Sequence, residues 1–575
     1  MPEPVSAEVD PSPASQPRQS AASSVAAGIF ASRIVGFVRE SVVAYFFGVG
    51  PHTDVFRMAF RGPNVLQNLL GEGTISASFI PVYSRMLEEG RAEEAGRFAG
   101  AVFGLMLVVV SVFVLLGIAL AEPIVTVLTP GFVDDAAKVA AGELTIDRFA
   151  LTVQGVRIIF PMTGLLVLSA WALAILNSHR RFLLPYFAPV VWNVAIIGAL
   201  FGMAFVLMDN PLTFRNEGGV SIEMLTQLLF ASFFGALVGG GLQFAVQLPL
   251  VFREMTGFRF SLSTKVKGVK EALHAFGPVV AGRGAYQIST WIDMILASII
   301  AAGAVGALGY AQVLYVLPIS LFGMSVAASE LPELSRINEE ERASFMQRIQ
   351  GSLRQIMFLT VPTFIGYLAF GLPLIRGLFE RGRFGYTDSW LIYAILGGYT
   401  VGLLATTASR LLQNVFYAVQ DTKTPAKIAV LRVIMSTALA VPLMFYLDRF
   451  AVASFIGTTP QEVPLFFGAV GLALGSALGA WIELWRLGIV LRRRIDFRMP
   501  WRAVLTMIGV AVLSAGPVAL LWWLLPDWPT LIVALLVVGS YGVLYLALAR
   551  LFKFDEMDAW VGRLLRSFRK PDNKA

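Results

Sequence analysis

Long apolar runs separated by short polar stretches organise this chain from residue 23 almost to its end. A run of roughly eighteen or more apolar residues is long enough to cross a bilayer as a helix. Such runs fall near 23–48, 54–84, 97–121, 148–177, 182–208, 224–252, 271–302, 304–335, 351–375, 387–418, 425–447, 463–491, 502–525 and 529–552. The pattern predicts an all-α polytopic membrane protein with about fourteen transmembrane helices. Gly and Pro inside the runs, as at Gly62-Pro63 and Pro318, mark expected bends.

Composition agrees. Of 575 residues, 56% are hydrophobic and 14% charged, against about 25% charged in soluble domains. The loop charges give an orientation. Alternate loops hold roughly 21 and roughly 7 Lys and Arg, beginning with a poor loop after the first helix. This predicts cytoplasmic termini, and it accounts for the net charge of +7 without nucleic acid. Residues 1–22 read as a disordered Pro/Ser/Ala-rich tail with no signal peptide. Residues 553–575 read as a basic cytoplasmic tail, at the membrane surface or solvated.

ASFIPVYSR at 77–85 and ASELPELSR at 328–336 share a pattern at an offset of 251. Six spans lie between them, so the halves face the same way, as in parallel-repeat carriers. The expectation is two six-helix pseudo-symmetric lobes, 23–252 and 271–491, followed by two extra helices within 502–552.

Charges inside spans are expensive and normally face a cavity or a partner. Here they concentrate in the first two helices of each half. The first helix holds Arg33, Arg39 and Glu40. In the second, Arg57, Arg61, Asn64, Asn68 and Glu72 follow at spacings of 4, 3, 4 and 4, one polar stripe, with Asp54 just before it. The seventh holds Arg283 and Asp293, and the eighth ends with Glu330 and Glu333. Pairing among these residues, for example Arg39 with Glu72, would pin helices together. Five arginines against few acids would instead make a cationic cavity suited to an anionic cargo, with bidentate bonds to phosphate.

Enzyme signatures are missing: the sequence has no GxxxxGK[ST], GxSxG or HExxH. With no cysteine and three scattered histidines, no zinc centre and no other cofactor is expected. Energy would come from a gradient or the membrane potential. Asp293 and Asp421 are the acids to examine for a coupling Na+ or H+, although Asp421, in QDTKTP, also suits a helix-start cap.

SRIVGFVRE (32–40), GVGPHTDVFRMAFRGPNVLQNLLGEG (48–73), SFIPVYSR (78–85), TPGF (129–132), FAPVVWN (187–193), GPVV with QIS (277–280, 287–289) and QDTKTPAKIA (420–429) together resemble the MurJ (MviN) family. The likeness covers nearly all of 23–550. It implies a V-shaped, two-lobed carrier of the multidrug/oligosaccharidyl-lipid/polysaccharide exporter superfamily, in the bacterial cytoplasmic (inner) membrane. Its members flip lipid II, the undecaprenyl-diphosphate-linked peptidoglycan precursor, for cell-wall synthesis. Implied too are a central cationic cavity and a groove near the last two helices for the polyprenyl tail. Arg33 and Arg39 match the family's first-helix arginines, and Asp54, Asn64 and Glu72 its second-helix polar positions. Two departures stand out. Asn68 and Val313 occupy positions where the family typically has arginine, whereas Arg57 and Arg283 occupy often apolar positions. Arg33, Arg39, Arg57, Arg61 and Arg283 are thus expected to bind diphosphate with Asn64 beside them, and Asp54 and Glu72 to orient the arginines or gate the cavity. A flippase for another polyprenyl-linked glycan and a cation-coupled multidrug exporter are the alternatives. A membrane-embedded glycosyltransferase would need a large outer loop, and the loops are short.

Overall fold

The computed structural model describes residues 17–213, 220–323, 342–459, 463–525 and 528–557. Among the described residues it is helical, with one isolated β-bridge, Ala451 to Phe466. Hydrocarbon offers no hydrogen-bond partners, so a spanning backbone satisfies its own groups as helix. Among the described residues ten helices are long and apolar enough to cross a membrane, or eleven if the bent pair Tyr386–Val401 and Leu403–Ala418 is one span. The expected count of about fourteen is not reached by that criterion. The segments that fall short are the charged ones: α1 (Pro17–Phe47), α2 (Pro51–Leu70) and α12 (Val269–Ile299) form helices but carry the in-span charges. The outer faces are apolar, as at Val206 (80% exposed) and Val543 (70%), the surface that lipid covers.

Several expected single helices are broken. The run 54–84 divides into α2, α3 (Glu72–Ser78) and α4 (Ile80–Glu88). The first break is at Gly71, where a Cβ would stand 2.2 Å from the Gln67 carbonyl oxygen. α5 (Ala92–Ala119), α6 (Ala121–Leu128), α7 (Asp135–Ala140), α8 (Arg148–Ser178), α9 (Leu183–Leu207), α10 (Ile222–Ala245) and α11 (Leu248–Glu254) complete the first half. α1, α2, α8, α9 and α10 pack together there.

In the second half, α12 leads to α13 (Ala304–Pro318) and a π-turn at Ile319–Gly323. The sequence-expected repeat copy at 328–336, with Glu330 and Glu333, lies outside the described residues. There follow α14 (Arg342–Phe379), α15 (Tyr386–Val401), α16 (Leu403–Ala418), α17 (Lys423–Leu447), α18 (Val452–Ile456) and α19 (Gly468–Ile495). α17 and α19 are closely packed because Gly471, Gly475 and Gly479 recur every four residues. A Cβ on Gly475 would meet Ala440 at 2.5 Å, so the backbones touch where side chains normally separate them. α20 (Trp501–Trp523) and α21 (Thr530–Leu551) lie against α14, where Tyr541 and Tyr545 donate to the carbonyls of Pro362 and Phe358 at 3.0 Å each. The basic tail beyond residue 557 lies outside the described residues.

One apolar cluster joins the halves. Val49, Met58, Leu128 and Phe132 of the first half pack with Val305, Leu308, Tyr310 and Phe379 of the second. This cluster closes one end of the molecule around the turns that precede α2 and α13.

Candidate functional site

Asp54 sits at the closed end, fully buried. Its carboxylate accepts the backbone amides of Gly303 at 2.7 Å and Gly306 at 2.8 Å, and Arg148 at 3.1 Å. The two amides belong to the N-terminus of α13, whose unsatisfied N–H groups and dipole favour an anion. Gly303 has φ +91°, a left-handed turn that only glycine adopts cheaply. Gly306 and Gly309 leave α13 without side chains where Thr53 and Arg57 of α2 approach. Arg148 in turn forks onto Asp135 at 2.6 and 3.1 Å and lies 4.1 Å from the Phe132 ring centroid. The guanidinium partner of Asp54 is thus Arg148, not one of the five arginines expected to bind diphosphate. Asp54 ties α2 of the first half to α13 of the second.

About one turn along α2 the arginines begin. Arg57 pairs with Glu40 at 2.5 Å, and Glu40 pairs with Arg39 at 2.5 Å. Where pairing such as Arg39 with Glu72 was one reading, the acid between the guanidinium groups is Glu40, which α1 turns inward, 4% exposed. Each guanidinium also lies over an aromatic face, Arg39 at 5.0 Å from Trp192 and Arg57 at 4.7 Å from Tyr310. Cation–π contacts of this kind hold a cation at a partly desolvated site. Tyr310 belongs to α13, so Arg57 contacts both halves.

Arg61 follows at the next turn of α2, within the electrostatic reach of Asp293. Asn64, half-buried, continues the stripe past Pro63. Arg33 and Glu72 lie elsewhere, on the wall of a cavity of about 300 Å³ inside the first half. Arg33 also donates to Ser320 of the second half at 3.0 Å. The backbone of Arg283 is on α12, but its side chain lies outside the described residues.

A second charged network was missed. Glu483 on α19, 1% exposed, accepts Arg432 of α17 at 2.7 Å and Gln413 of α16 at 2.7 Å. Asp293 on α12 lies in the field of both Arg432 and Arg61. Arg432 and Glu483 are in-span charges, so the rule that exposed the first-half arginines applied to them equally. Asp135 and Arg148 stand at the starts of α7 and α8, where sequence gives no sign of burial. No cluster of three His, Cys, Asp or Glu suited to a metal ion occurs among the described residues. Asp421 is a helix-start cap. It accepts the Thr424 amide at 3.0 Å, the Thr424 hydroxyl at 2.6 Å and Arg494 at 2.7 Å. The Thr424 hydrogen bonds, aided by Arg494, hold its carboxyl down at about 2.

The chain can be compared with known proteins on this footing. The family described as lipid II flippase MurJ matches residues 43–542. The probable lipid II flippase MurJ of Rhizobium tropici is 30% identical over 84% of this chain and 83% of its own length. The lipid II flippase MurJ of Burkholderia cenocepacia is 28% identical over 84% and 86%. A solved lipid II flippase MurJ in an inward closed conformation shares the fold, with a TM-score of 0.66 over 92% of this chain and 98% of that one at 22% identity. An inward-facing multidrug resistance transporter of the MATE family gives 0.55 over 81% and 94% at 14% identity, again a likeness of fold. With one family matching nearly the whole span of apolar helices, this multi-pass membrane protein belongs to the MurJ lipid II flippase family.

Proposed function

We propose that this protein flips lipid II, the undecaprenyl-diphosphate-linked peptidoglycan precursor, from the cytoplasmic to the outer leaflet by alternating access. One observation carries the reading most directly: Arg39 and Arg57 converge on a single buried carboxylate, where Arg57 also meets Tyr310 of the second half. A diphosphate offers the same pair of guanidinium groups more oxygens and more charge than Glu40 does. Cargo binding then exchanges Glu40 for diphosphate on both arginines. Arg57 lies on Tyr310 of the opposite half, so that exchange bears on the contact between halves. Arg61, one turn further along α2, extends the cationic surface.

The loops before α2 and α13 are poor in Lys and Arg, which supports placing the Asp54 end outside the cytoplasmic membrane and both termini inside. The Asp54 latch then closes the outer path while cargo enters from the cytoplasm. Transport needs this latch to open and reform. The activity is translocation, with no bond made or broken. We also infer that Asp293 holds no inorganic coupling cation. Resident guanidinium groups, Arg61 and Arg432, already supply the positive charge around it.

A flippase for another polyprenyl-linked glycan is the second reading, favoured by Asn68 and Val313 where the resemblance leads one to expect arginine. Arg57 and Arg283 restore that charge from neighbouring positions on our reading. Complementation of a cell depleted of its own flippase tests this. The parent chain should restore growth, and Arg57→Ala and Arg283→Ala should each fail at equal expression. Failure of the parent chain itself favours the other glycan. Rescue by both variants refutes the compensation.

A further inference from the structure

The cavity inside the first half is walled by Arg33, Gln67, Glu72, Ser169, Tyr186 and Gln243, drawn from α1, α2, α3, α8, α9 and α10. Its volume of about 300 Å³ is at the lower end of small-ligand pockets, room for a short peptide segment. Its chemistry differs from that of the Arg39–Arg57 site. One guanidinium and one carboxylate, both exposed to the cavity, stand with amides and hydroxyls.

The polar floor is incompletely satisfied. Ser169, 3% exposed, accepts Gln247 at 2.6 Å and Gln243 at 3.4 Å through its hydroxyl oxygen. Among the described residues no acceptor takes the Ser169 hydroxyl proton, so it is available to an occupant. Buried polar atoms are normally paired, so a hydroxyl proton left over on the cavity wall marks a place where a ligand or water completes the network.

We propose that this cavity is a second subsite that takes the peptide portion of the cargo's headgroup, its ammonium group towards Glu72 and a carboxylate towards Arg33. The inference rests on the cargo reading given above. Arg33 precedes Arg39 by six residues on α1, about 9 Å along a helix. A headgroup in which a sugar separates diphosphate from peptide spans a distance of that order. A carboxylate on Arg33 would also draw it from Ser320, so filling the cavity releases a contact between the halves.

Binding to the full-length purified protein in nanodiscs tests the proposal. The probes are the lipid-free disaccharide peptide of the precursor, the same compound with its free amine acetylated, the disaccharide without peptide, and inorganic pyrophosphate. Acetylation should weaken binding to the parent protein about tenfold, the loss of one charge-assisted bond. It should have little effect on Glu72→Gln, whereas Glu72→Asp should keep most of the discrimination. Ser169→Ala should weaken the disaccharide peptide as well. A variant that merely misfolds loses all probes alike and cannot mimic this pattern. The proposal is overturned if the disaccharide without peptide binds as well as the disaccharide peptide, or if acetylation weakens binding to Glu72→Gln as much as to the parent. Pyrophosphate reports on the other site. If Arg39→Ala and Arg57→Ala leave its affinity unchanged, the cargo reading fails whatever the peptide does.

Discussion

Asp54→Asn keeps the size of the side chain, removes its charge and leaves one acceptor oxygen where there were two. The native carboxylate divides its oxygens between Gly303 and Gly306, at 2.7 and 2.8 Å, and one of them also takes Arg148. In the variant one backbone amide faces the Asn NH2 group, donor against donor. A hydrogen bond to a charged group contributes about 1.5–3 kcal/mol, and an orphaned buried donor costs about 1–3 kcal/mol. Arg148 keeps Asp135, which limits the further loss. A total near 3 kcal/mol shifts the balance between the closed and open forms of this end about 150-fold. The chain has no cysteine, so spin labels can be introduced without removing native thiols. Ile222, at the start of α10, and Phe455, on α18, are 46% and 74% exposed and flank the closed end from opposite halves. Double electron–electron resonance between labels there should show one short distance in the parent and a prominent longer one in Asp54→Asn. An unchanged distribution in a folded variant would refute the latch.

Glu40→Gln removes the carboxylate that competes with cargo, so pyrophosphate affinity should rise about tenfold or more, the worth of one charge-assisted bond; calorimetry reads this, and unchanged or weaker binding counts against the exchange. Arg432→Leu strands Glu483 in the interior and should cost about 3–5 kcal/mol, seen as a large drop in thermal stability, whereas the double change Arg432→Leu/Glu483→Leu should recover most of it. Lipid II transport in proteoliposomes should be unaffected when choline replaces Na+, and strict Na+ dependence would restore Asp293 as a cation site. Asp421→Ala removes a cap worth about 1 kcal/mol. The folded carboxyl titrates near 2, below its ordinary 3.8, so this contribution is present above pH 4 and is lost as pH falls through 2. The stability gap between variant and parent should therefore be full at pH 7 and narrower at pH 3.

Spans such as 148–177 and 182–208 were legible because hydrocarbon demands long apolar helices, and the observed α8 and α9 start and stop within a residue or two of them. Breaks were less legible. Gly71 and Gly402 interrupt apolar runs, but glycine is common in membrane helices and only the neighbouring packing decides whether the chain bends. The stripe on α2 and the two α1 arginines were readable from helical spacing alone. Their partners were not, since Glu40 follows Arg39 in sequence, yet its second partner, Arg57, is on another helix. Asp54 drew notice as an acid just before that stripe. Its partners, the α13 amides and Arg148, are about 250 and 94 residues away and meet it only in the fold. Arg432 and Glu483 satisfy each other in the second half, which sequence does not reveal for isolated in-span charges.

The central claim is that a diphosphate-bearing lipid crosses the membrane on Arg39 and Arg57. Purified protein reconstituted into vesicles with fluorescent lipid II in one leaflet tests it most directly, with appearance in the other leaflet as the readout. Translocation by the parent protein should be competed by unlabelled lipid II and lost in Arg39→Ala/Arg57→Ala. Undiminished translocation in the double variant, or transport of a hydrophobic cation in place of lipid II, would contradict the account.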